Sequence, residues 1–210
     1  MEAFFVGITG GSGAPYALSL VRALAAAGRK VHLSISPAGL KVLALECGVR
    51  IDSAQPDLAP FREGAGEVVL HPIEAVEAPP SSGTHPVRGA VVVPCSMGTA
   101  ARVASGLSSN LIERTCDVAL KEGRPLILVP RETPLNRVHL DSLSRLAWAG
   151  ATILPAMPGF YHRPKKVEDL VDHVVGKILD RLGVEHDLFR RWGVEPAGDE
   201  EFFPHAPRRG

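Results

Sequence analysis

Five segments of this chain are apolar at nearly every position: 3-AFFVGIT-9, 31-VHLSIS-36, 89-GAVVVP-94, 125-PLILVP-130 and 151-ATILPA-156. A strand with one wet face alternates, so continuous runs of this kind predict a parallel sheet covered on both sides. Between the runs the apolar positions change to a helical period. Residues 14–27 carry Ala14, Ala17, Leu18, Val21 and Leu24 on one stripe, and Gly28 stops them. Residues 110–122 open with Asn110 and Glu113 in a capping-box-like pair and close at Gly123. Helices over 136–149 and 167–182 end at Gly150 and Gly183. The stretch 52–88 is rich in Pro, Gly and Ser, with one short strand expected at 67–71. There is no internal repeat. Strand alternating with helix predicts a doubly wound α/β domain.

Composition narrows this further. Lys plus Arg and Asp plus Glu are each 23 in 210 residues, so the formal net charge is zero. That lacks the basic excess of nucleic-acid proteins and leaves room for self-association. Cys47, Cys95 and Cys116 have no metal-ligand spacing, and an odd number suits a reducing cytosol. No apolar stretch reaches the roughly 18 residues of a membrane span, and residues 1–9 read as a strand rather than a signal peptide. The expectation is one mostly parallel, flavodoxin/Rossmann-like domain over 1–193 with an extension at 194–210. It is cytoplasmic, with no nucleic-acid or membrane partner.

In such sheets ligands bind beyond the carboxyl ends of the strands. Those positions hold Thr9–Gly13, Ser36, Cys95–Thr99, Arg131–Glu132 and Pro158–His162. The first turn, 9-TGGSGAP-15, fails the dinucleotide fingerprint at Tyr16 and lacks the lysine of a P-loop. Strand, glycine turn, and a helix with Pro15 in its first turn still aim backbone N–H groups at an anion, so it reads as a cradle for one phosphate. The alternative is a tight packing turn. Gly10-Gly11-Ser12-Gly13-Ala14 also approaches a nucleophile elbow, but no Asp-then-His pair stands out downstream.

Ser96 and Thr99 suit a helix cap, with or without ligand contact. Cys95 reads as a buried thiol, since no histidine is placed beside it. Arg114 and Lys121 stack on one helical face with Asp117 between them, which makes either a salt-bridge ladder or a cationic surface. Arg131, at a buried strand's end, needs a partner: an anion or the adjacent Glu132. Tyr161 can pack or donate a hydrogen bond. Lys177 flanks the apolar half-cylinder of the last helix, and Arg181 lies one turn later.

Taken together, GITGGSGAPYAL, CSMGTAARVASGLSSNLIERTCDVALKEGRPLILVPRETPL, GATILPAMPGFYHRP and VEDLVDHVVGKILDRLG resemble the flavin prenyltransferases, the UbiX-like family once labelled decarboxylases. The resemblance spans about residues 4–193. It implies an FMN-binding domain that joins a dimethylallyl group from dimethylallyl phosphate to reduced FMN without a metal. The prenylated product serves a UbiD-like decarboxylase, and the family's assembly is a homo-oligomer, a dodecamer. By the same resemblance, FMN contacts fall on Gly10, Gly11, Ser12, Ser36, Ser96, Met97, Gly98, Thr99 and Arg131. Prenyl phosphate contacts fall on Tyr161 and Lys177, supported by Arg114 and Lys121, with Trp192 closing from a neighbouring subunit. Glu132, Ser12 and Lys121 take the catalytic roles. Departures are Gly11, where alanine is usual, and the longer tail. Two rivals remain at this point. A cysteine-type flavoprotein decarboxylase would carry an asparagine after Pro-Ala-Ser, where CSMGT stands. A non-catalytic FMN-binding protein would be indifferent to Lys177→Ala.

Overall fold

In a computed structural model, which describes residues 1–52 and 55–191, six strands form one parallel sheet. The order along the chain is β1 (Ala3–Ile8), α1 (Ala14–Ala26), β2 (Lys30–Ile35), α2 (Pro37–Cys47), β3 (Glu67–His71), β4 (Val87–Cys95), α3 (Met97–Ala104), α4 (Leu111–Lys121), β5 (Leu126–Pro130), α5 (Arg137–Trp148), β6 (Thr152–Ile153) and α6 (Val167–Leu182). The strands lie in the order β3-β2-β1-β4-β5-β6. The chain therefore winds outward from β1, then returns to its other side, and a crevice opens between the ends of β1 and β4.

All six residues of β1 are buried, which accounts for its unbroken apolar run. Phe4, Val6 and Ile8 face Leu20, Leu24, Val175 and Ile178, the layer of α1 and α6. Phe5 points to the other layer, with Leu111, Ile112 and Leu146 of α4 and α5. Gly7 on that second face lets Ile112 close in: an added Cβ would stand 3.0 Å from its methyl carbon.

Three local differences from the sequence pattern have physical causes. An unannounced helix, α2, starts at Ser36, whose hydroxyl accepts from the Gly39 amide at 3.0 Å, and stops at Gly48 in the left-handed region. It buries only Gly39 and Leu43, so it has little apolar stripe to read. β6 is cut to two residues, although the amides of Leu154 and Ala156 still bond Leu128 and Pro130 of β5 at 2.9 and 3.0 Å. The chain then turns away, with the Met157 amide bonding the Pro155 carbonyl at 2.7 Å. At α4, Asn110 caps the Glu113 amide at 3.0 Å, but Glu113 reaches one residue further back, to the Ser109 amide at 2.9 Å. Among the described residues no helix is long and apolar enough to cross a membrane. Trp192 and the extension 194–210 lie outside the described residues.

Candidate functional site

The ends of β1 and β4 are stitched together by Thr9. Its hydroxyl donates to the Pro94 carbonyl and accepts from the Ser96 amide, each at 2.8 Å, at 2% exposure. The turn that follows depends on Gly13, whose φ of 124° an L-residue rarely adopts. Gly13 brings no side chain to cap α1. Glu46 of α2 does so instead: Oε2 accepts from the Gly13 and Ala14 amides, both at 2.8 Å. The phosphate cradle expected at this turn thus already holds an anion, a carboxylate of the chain itself. Burial pushes the Glu46 carboxyl up, but the Ser12 hydroxyl, the two amides and the Arg131 charge outweigh it and hold the group below its usual range. Arg131 Nε donates to the Ser12 carbonyl at 3.1 Å. Its partners are therefore the glycine turn and Glu46, whereas exposed Glu132 accepts from the Thr133 amide at 3.1 Å.

The start of α3 is arranged differently. Ser96 accepts from the Thr99 amide at 3.3 Å, and the two hydroxyls lie 3.0 Å apart. Met97 is buried beneath them, while Gly98 is exposed, and a Cβ there would meet nothing nearer than Arg102 at 3.7 Å. The starts of α1, α2 and α3 follow the carboxyl ends of β1, β2 and β4. With Gly10, Gly11 and Ser12 and the Arg131 guanidinium, the hydroxyls of Ser36, Ser96 and Thr99 make a donor-rich set that fits the phosphate and ribityl hydroxyls of FMN. Cys95 behind it is no nucleophile: full burial pushes its thiol up to about 12.

The cationic candidates separate. On α4, Arg114 bonds Asp117 at 2.8 Å, and Lys121 pairs with Glu122. Lys121 borders Gly83, ahead of β4, and so stands at the opposite end of the strands from the crevice. Tyr161 and Lys177 belong to the other layer, with α6. Within one chain the two groups do not meet, which corrects the expectation of a single cationic cluster. Of the two cations on α6, Arg181 donates to Thr152 at 3.1 Å, and Lys177 is exposed. Tyr161 is half-buried, with its hydroxyl 3.2 Å from His173 Nε2. Glu46 and His173 were not singled out by the sequence. The first rides on the helix without a stripe, and the second is set in the apolar run of α6. For Glu46 the available signal was Ser36-Pro37 with Gly48, a helix start and stop. Among the described residues no group of three potential ligands could hold a metal ion.

Comparison with known proteins gives a consistent picture. The family described as Flavoprotein matches residues 2–179. The chain is 51% identical over 193 residues to the flavin prenyltransferase UbiX of Halalkalibacterium halodurans, covering 91% of this chain and 94% of that protein. Its structure resembles the crystal structure of AnUbiX (PadA1) in complex with FMN and dimethylallyl pyrophosphate, with a TM-score of 0.84 and 35% identity over 93% and 99% of the two chains. A dodecameric FMN-dependent Ubix-like decarboxylase from Escherichia coli gives a TM-score of 0.82 at 37% identity, over 92% and 100%.

Proposed function

The chain belongs to the flavin prenyltransferase family, and from that premise we propose how its own residues divide the work. Gly10, Gly11, Ser12, Ser36, Ser96, Met97, Gly98, Thr99 and Arg131 hold FMN. The observation that carries this is the convergence of hydroxyls, first-turn amides and one guanidinium at the crevice between β1 and β4. FMN, bound in its reduced form, supplies the ring atoms that take up the prenyl carbons. Glu46, already on the α1 amides, keeps the external phosphate away from that helix and toward the open start of α3.

Tyr161 and Lys177 hold the phosphate of the prenyl donor. As the allylic C–O bond breaks, a dianion departs, and fixed cations with the Tyr161 hydroxyl stabilise it. Arg114 and Lys121 sit in the other layer and reach that phosphate from a neighbouring copy, with Trp192, so the working unit is a homo-oligomer. The exposed Leu135, Val138, Trp148 and Phe160 supply apolar contact area for it. Glu132 would accept the proton that the flavin ring must lose when the prenyl group is joined to it at two ring atoms, and Ser12 would orient the ring. The product passes to a UbiD-like decarboxylase in the cytoplasm.

The test is to incubate the protein with reduced FMN and dimethylallyl monophosphate, or the diphosphate, without oxygen, and to weigh the extracted flavin. The prenyl mass increment is expected with at least one donor, and its absence with both overturns the reading. Lys177→Ala should lower the rate by about a hundredfold or more while FMN still binds.

A further inference from the structure

Tyr161 rests on a small, fully built polar cluster. The Gly159 amide donates to His173 Nδ1 at 3.2 Å. A nitrogen that accepts from an amide carries no proton, so a neutral His173 carries its proton on Nε2. Nε2 lies 3.2 Å from the Tyr161 oxygen and therefore donates to it. The phenol oxygen is the acceptor in that bond, and its own proton is spent in another direction.

The neighbours enforce this arrangement. His162 lies parallel to His173, with ring centres 4.9 Å apart and planes 2° from coplanar, and both rings meet Tyr161 edge-on. His162 Nε2 bonds the Asp169 carbonyl at 3.2 Å and so must donate. Its Nδ1 is buried without a hydrogen-bond partner. A Cβ on Gly159 would press on the Tyr161 ring at 3.1 Å and on His173 at 3.4 Å. Phe189 covers His173 at 5.0 Å between ring centres, and its ring would be only 2.4 Å from a Cβ on Gly176. Among the described residues, the titratable groups around His173 are His162, Tyr161, Lys177 on its own helix and His186 from the segment after α6, with Arg191 acting on Tyr161. Burial, His162 and Lys177 all push the His173 imidazole below 6.5, so it is neutral at neutral pH.

We infer that His173 is a positioning residue: held in one tautomer by the Gly159 amide, it occupies the Tyr161 oxygen from behind and turns the phenolic proton toward the departing prenyl phosphate. This rests on the assignment of Tyr161 to that phosphate. A hydroxyl locked as donor stabilises growing negative charge without first reorienting.

A pair of variants tests it. His173→Phe keeps a ring of similar size and removes both hydrogen bonds. His173→Gln keeps an acceptor for Gly159 and a donor for Tyr161 but cannot titrate. His173→Phe should lower prenyl-transfer kcat by about tenfold, the worth of one hydrogen bond to developing charge. FMN affinity should stay unchanged, His173→Gln should recover most of the rate, and the loss should vanish in a Tyr161→Phe background. An unchanged rate in His173→Phe, or an equal loss in the Tyr161→Phe background, overturns the inference. If Tyr161→Phe alone costs nothing, it is the assignment of Tyr161 that fails. Should His173→Phe not fold, the pH profile of His173→Gln decides. Protonation puts a hydrogen on Nδ1 against the Gly159 amide and breaks the bond that fixes the ring, so wild-type activity should fall below pH 6.5, and the glutamine variant must hold its rate further into acid. The same acid limb in both proteins also overturns the inference.

Discussion

The starts of α1 and α3 open on the same crevice but are secured in opposite ways. α1 begins on glycine, has no cap of its own, and borrows the Glu46 carboxylate for its first amides. α3 caps itself with Ser96 and is held instead at its far end, where Arg102 pairs with Glu113 of α4. The Glu113 side chain is 1% exposed, and Arg102 also reaches Thr99 at 3.4 Å. A helix start that must receive an outside anion cannot have an internal one sitting on it. Anchoring α3 from behind leaves the Met97 and Gly98 amides of its first turn uncovered, since Ser96 takes only that of Thr99, and in the proposed reading the filled α1 start directs the incoming phosphate there.

Substitutions should break this contrast to different degrees. Arg102→Met leaves a buried carboxylate without its cation, at a cost of roughly 3 kcal/mol. For a chain of this size, that is a fall of about 6–12 °C in melting temperature. An unchanged melting temperature would show that α3 is braced by something else. Ser96→Ala removes one cap, worth about 1 kcal/mol or roughly 2–4 °C, and should also weaken FMN binding. If calorimetry finds FMN affinity intact, the start of α3 is not the phosphate site.

The smallest effect belongs to Glu46→Gln, which keeps the acceptor and removes only charge, about 0.3–1 kcal/mol at a helix terminus. The Glu46 carboxyl is held lower in the folded chain than its ordinary 4.5, so its contribution is fully present above that pH. It is lost as pH falls through the depressed value. Melting curves of the two proteins should differ at neutral pH and converge in acid below 4.5. A gap that stays constant through that range would show that the charge is not what α1 uses.

The fold was legible wherever burial on both faces left an apolar run, as in β1, or a glycine ended a stripe, as after α6. It was illegible at α2, because a helix that buries two residues leaves almost no periodic trace. That single omission hid Glu46 and made the first turn look like an empty cradle. The crevice itself followed from strand ends alone, and Ser36, Ser96 and Arg131 stand there as expected. What the motifs did not convey is that α4 and α6 lie on opposite layers of one sheet. Spacing along a helix says which side chains share its face, not which face of the sheet that helix covers. His173 escaped notice because its role depends on Gly159 and Tyr161, a loop away.

Pro155 has an effect at the rim of the molecule. Leu154 and Ala156 turn their amides inward to β5, so the outward donor between them would be residue 155, and proline has none. Past Ile153 the border strand gives a visiting strand nothing to zip onto, which guards that flank against runaway edge-to-edge stacking. Beyond Ile153, contacts of that flank with another chain fall to side chains. Their contacts can be tuned or abolished one residue at a time without touching the backbone ladder.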